Sequence, residues 1–122
     1  MNSLLGVFLD DSQPDLSPAP SELYFGGPAG NVSGGIDYLS LVPALKQVFF
    51  IGDGLTTGGE KQVVVVPTGA TRLFLGTMDG VEWTNNRGSF NVDIAAVPEP
   101  ATVSLLGLGV IAVGLARRLR RS

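Results

Sequence analysis

Two carboxylates and two carboxamides crowd one stretch of this 122-residue chain, Thr77-Met-Asp-Gly-Val-Glu-Trp-Thr-Asn-Asn-Arg-Gly-Ser-Phe90. Asp79, Glu82, Asn85 and Asn86 form a donor set that suits a hard cation. Calcium takes six to eight oxygens from carboxylates, amide oxygens and backbone carbonyls. Asp79, Asn85 and Asn86 are the candidate calcium ligands, with carbonyls of the loop between them as a backbone contribution. The competing reading is a plain turn, because Asp-Gly and Asn-Asn pairs form turns without any ion. A second Gly-rich stretch, Ile51 to Glu60, has no lysine and no phosphate-loop spacing, and reads as a hairpin loop in which Asp53 is a weak second acidic candidate. The chain has no histidine and no cysteine. That removes the commonest general base, the commonest transition-metal ligand and any thiolate nucleophile. A glycosidase would need two placed carboxylates, and only Asp79 and Glu82 come close, so we expect no enzyme.

The other stretch with chemical content is Val97-Pro-Glu-Pro-Ala-Thr-Val-Ser-Leu-Leu-Gly-Leu-Gly-Val-Ile-Ala-Val-Gly-Leu-Ala-Arg-Arg-Leu-Arg-Arg121. From Ala101 to Ala116 sixteen residues carry no charge. As a helix they would reach about 24 Å against a hydrocarbon core of about 30 Å, a gap that long arginine stems can close. Pro98 and Pro100 mark the helix start, and Gly107, Gly109 and Gly114 suit a membrane helix better than a soluble one. We expect one C-terminal transmembrane helix at about 101–116, with Arg117, Arg118, Arg120 and Arg121 as a cytoplasmic basic stop and the body outside. A buried core helix and a permanent tail anchor are the alternatives. Residues 1–100 hold eleven acids against four bases, and so acidic a body repels phosphate backbones and leaves no case for a nucleic-acid partner.

The elements that must position these residues are short apolar runs between Gly, Pro, Asn and Asp. Leu4–Leu9, Val48–Ile51, Gln62–Val66, Arg72–Thr77 and Ser89–Ala95 have strand length and composition. In the last of them Phe90, Val92 and Ile94 alternate with Ser89, Asn91 and Asp93, the pattern of a half-buried strand. Val63 to Val66 is apolar on both faces, as deep in a sandwich. Five glycines and four prolines between Gln13 and Gly35 predict a long loop, with a short strand at Leu23–Phe25. Pro43 suits the first turn of a short helix over Leu41–Lys46. The expected fold is all-β, an antiparallel β-sandwich or jelly roll over residues 1–96, followed by a tail at 97–122. Residues 1–15 lack the basic and apolar regions of an export signal, so we read the body as N-terminally truncated, with export by another route as the alternative.

Val97-Pro98-Glu99-Pro100, the Gly-rich apolar run and the arginine cluster together resemble the PEP-CTERM sorting signal of bacteria. The resemblance implies Pro98, Glu99 and Pro100 as the sorting motif and an exosortase-type protease-transpeptidase as partner. It further implies anchoring in the inner membrane during export and final placement at the cell surface. Pro67-Thr-Gly-Ala-Thr-Arg-Leu-Phe-Leu-Gly-Thr-Met-Asp-Gly, followed by Asn85-Asn-Arg-Gly-Ser-Phe-Asn-Val, resembles the C-terminal half of the calcium-dependent galactose-specific lectins of bacteria. That likeness implies a galactose-binding-domain-like sandwich, calcium on Asp79, Asn85 and Asn86, and a carbohydrate such as exopolysaccharide held through the ion. The Asp79–Asn85 spacing is one residue shorter than in those lectins, which leaves the Val81 or Glu82 carbonyl as the candidate backbone ligand. Trp83 is a candidate platform for a sugar face or, equally, a residue packed on the end of the sandwich. A structural envelope or matrix component without ligand is the alternative function.

Overall fold

Leu4 to Leu9 is the longest apolar run of the body, and it takes the centre of a sheet. A computed structural model of the protein describes residues 3–79, 83–85 and 87–97. β1 (Ser3–Leu9) lies between β3 (Val48–Phe50) and β5 (Arg72–Met78), antiparallel to both. β5 pairs along the whole of β1, from Ser3 opposite Met78 to Leu9 opposite Arg72. Strand alternation buries Leu4, Gly6 and Phe8 on one face. The register sets Leu5 and Val7 on the other, across from Gly76 and Phe74.

A second sheet has two strands, β2 (Ser40–Leu41) and β4 (Val63–Val64), and these are parallel. The expected antiparallel arrangement therefore holds for the larger sheet only. The core is a cluster of Phe8, Tyr38, Leu41 and Phe49, drawn from β1, β2, β3 and the chain just before β2. The Phe8 and Phe49 rings stack at 5.3 Å. The Tyr38 hydroxyl donates to the Phe50 carbonyl at 2.7 Å, which satisfies the one polar atom the ring carries into the core.

Several expected elements differ. Gln62–Val66 contracts to two strand residues, and Val63 and Val66 are exposed rather than deep in a sandwich. Leu41–Lys46 forms no helix: Leu41 pairs with Val64, and Lys46 adopts a left-handed φ of 66°, which ends any helical path. Leu23–Phe25 is not a strand; Asn31 pins that loop instead, accepting from the Tyr24 amide at 2.8 Å and donating to the Glu22 carbonyl at 3.0 Å. Ser89–Ala95 carries no strand. The Ile51–Glu60 loop does close as a hairpin, with Leu55 bridged to Lys61.

The regular structure of the described part is strand, apart from three short 3-10 helices at Pro14–Leu16, Gly35–Asp37 and Trp83–Asn85. Among the described residues no helix is long and apolar enough to cross a membrane. The span expected at 101–116 lies outside them. The chain divides into two units, Met1–Asn86 and Arg87–Ser122.

Candidate functional site

β5 delivers the first candidate residue. Its seven residues are held against β1, and Asp79 is the next residue along, partly buried at the strand end. Asn85 closes the Trp83–Asn85 turn and is exposed. Asn86, together with the Val81 and Glu82 carbonyls, lies outside the described residues. Of the candidate calcium ligands, one carboxylate and one carboxamide thus fall within the described residues, against the six to eight oxygens the ion takes. Among the described residues no group of three or more Asp, Glu, His or Cys side chains is placed to hold a metal ion.

Acidic side chains elsewhere hold the protein's own loops. Asp37 accepts from the Thr57 amide at 2.6 Å and from its hydroxyl at 2.8 Å. These two donors hold the Asp37 carboxyl below its ordinary value, the amide contributing most. Asp53, the weak acidic candidate of the hairpin, accepts from the Leu55 amide at 3.1 Å, which is the bond of its own turn. Asp10 caps the bend after β1, accepting from the Ser12 hydroxyl and, at 3.0 Å, from its amide, and its carboxyl is also lowered.

An apolar groove on β1 and β3 is a feature that the sequence pattern did not announce. Its volume is about 530 Å³, and Leu5, Leu23, Tyr24, Phe25, Phe49 and Phe50 line it. The Leu23-Tyr24-Phe25 run is the signal that could have marked it, since it sits as loop against Tyr38 and Phe50 rather than as a strand.

The second candidate site is the tail and the chain leading to it. Arg87 to Val97 carries no helix, strand or turn, and every residue in it is exposed. Phe90, Val92 and Ile94, spaced two apart, are 48%, 40% and 69% exposed. Pro98, Glu99 and Pro100, and the basic stop of Arg117, Arg118, Arg120 and Arg121, lie outside the described residues.

Residues 96–121 match the family model of the PEP-CTERM protein-sorting motif. Neither a curated protein nor a solved structure matches the chain, so no relative stands behind the lectin resemblance of the body.

Proposed function

We propose that this chain is an exported bacterial protein whose C-terminal tail directs it to the cell surface through an exosortase. The observation that carries the reading is the sorting motif at 96–121, with an acid between two prolines, an apolar run and arginines in that order. In this reading the apolar run at 101–116 is a transmembrane helix that holds the chain in the inner membrane. The arginines keep its end in the cytoplasm, and the enzyme removes the tail near Pro98-Glu99-Pro100. Intact mass of the protein released from the cell surface is the test. The expected mature form lacks the arginine cluster, and a surface form still carrying Arg121 overturns the proposal.

The body is the cargo, read as a non-catalytic β-sandwich. A structural role in the envelope or matrix needs nothing more of it. The second reading, calcium-dependent binding of carbohydrate, is favoured by Asp79 at the end of β5 and Asn85 in the following turn. If calcium is bound there, the melting temperature rises with added calcium, falls with chelator, and stops responding in Asp79→Ala. A glycan array run with and without calcium then separates a lectin from a scaffold. An unresponsive full chain leaves the structural role.

A further inference from the structure

Phe90, Val92 and Ile94 stand exposed on a segment whose sequence has the period of a strand but which pairs with no strand among the described residues. Among the described residues, none of the backbone groups of residues 87–97 makes a hydrogen bond within the protein. Unpaired amides and carbonyls beside a row of alternating apolar side chains are what strand addition requires of a ligand. The main chain supplies the affinity, and alternate side chains fill pockets. The segment runs directly into the sorting motif that begins at Ala96.

The motif itself is poorly equipped for main-chain recognition. Pro98 and Pro100 have no N–H, so two of its three residues cannot donate to a partner strand. Downstream lies the apolar run. The nearest stretch with a full set of backbone donors is therefore the one upstream. At about 3.3 Å per residue, Ile94 lies roughly 13 Å and Phe90 roughly 26 Å from Pro98 along an extended chain. One docked strand spans that distance.

We infer that residues 89–95 form an upstream recognition strand for the processing enzyme. They add to an exposed sheet edge or extended cleft of that enzyme, with Phe90, Val92 and Ile94 seated in apolar pockets and Asn91 and Asp93 facing water. The inference rests on the sorting reading and names a further determinant of it. It also accounts for three exposed apolar side chains that a mere spacer would not need.

The test uses the full chain in membranes with an active exosortase and follows conversion to the tail-less form by intact mass. Replacing Phe90, Val92 and Ile94 together by serine slows conversion roughly tenfold or more, which corresponds to a loss of about 1.4 kcal/mol or more of apolar contact. The opposite-face pair Asn91→Ser and Asp93→Ser stays within about twofold of the parent, since it removes no pocket contact. Ile94→Ser alone, at the most exposed of the three positions, slows conversion several-fold and serves if the triple variant melts early. Conversion of the triple variant and of Ile94→Ser at the parent's rate overturns the recognition strand and leaves the sorting reading intact. A parent chain that is never cut overturns both.

Discussion

At Gly6 the space for a side chain is already taken. A Cβ there would meet the Phe49 ring at 2.5 and 2.7 Å, and Phe49 is only 2% exposed, with little room to retreat. Gly6→Ala should cost about 1–3 kcal/mol by overpacking, which for a domain of this size lowers the melting temperature by roughly 4–8 °C per kcal/mol. Tyr38 makes a different test. Tyr38→Phe keeps the ring but leaves the Phe50 carbonyl without its donor, at a cost of about 1–2 kcal/mol in a chemical denaturation series. Burial pushes the Tyr38 hydroxyl from its ordinary 10.0 up to about 12. The folded state thus holds that proton more tightly, and stability is complete below pH 10.0 and declines as pH rises toward about 12. An alkaline melting series should show the decline, and Tyr38→Phe should remove that share of it. Asp37 works in the other direction. Its lowered carboxyl supports the Thr57 loop above pH 3.8, and the support is lost as pH falls through the still lower folded value. The hydrogen-exchange protection of the Thr57 amide, taken relative to its intrinsic rate at each pH, should therefore fall on acidification, and at neutral pH in Asp37→Ala.

The elements show what a one-dimensional pattern can and cannot convey. β1, β3 and β5 were legible because apolar and aromatic runs of strand length end at Asp, Gly or Thr. Ser89–Ala95 has an equally good pattern and forms no strand, because alternation names a face and does not supply a partner. Leu41 was misread for a related reason: Pro43 invites a helix locally, and pairing with Val64 outweighs it. The sorting motif was the most legible feature of all, since it is a linear signal that needs no fold to be recognised. The calcium candidates were legible as residue types, while their convergence depends on loop geometry no spacing encodes. At β5 the start of the strand is fixed by Arg72, whose Nε donates to the Asp10 carbonyl and whose Nη2 donates to the Ser12 carbonyl, both at 2.9 Å. The same guanidinium sits 5.8 Å from the Phe74 ring centroid. Arg72→Ala should lose about 1–2 kcal/mol from these contacts, with faster amide exchange at Thr71, whose N–H donates to Leu9. Arg72→Lys should recover only part of it, because an ammonium cannot span both carbonyls with a planar fork.

For the whole molecule the decisive feature is the order in which the sheet is made. The centre strand precedes both of its neighbours in the chain: β1 ends at Leu9, β3 starts at Val48 and β5 starts at Arg72. Contacts so distant in sequence make loop closure costly before they return any stability, so refolding should fall in the range of about milliseconds to seconds typical of non-local β topologies. Stopped-flow fluorescence of Trp83 or the tyrosines would measure it. Synthesis adds a longer wait. At roughly 5–20 residues per second the ribosome needs on the order of seconds to deliver β5 after β1. Until β3 is made Leu4-Leu5-Gly6-Val7-Phe8-Leu9 is an apolar strand with both edges open, and the edge that takes β5 stays open to the end of that time. On the proposed reading, a chain bound for the outside of the cell is thereby slow to fold while it is being made, which favours transport in an unfolded state.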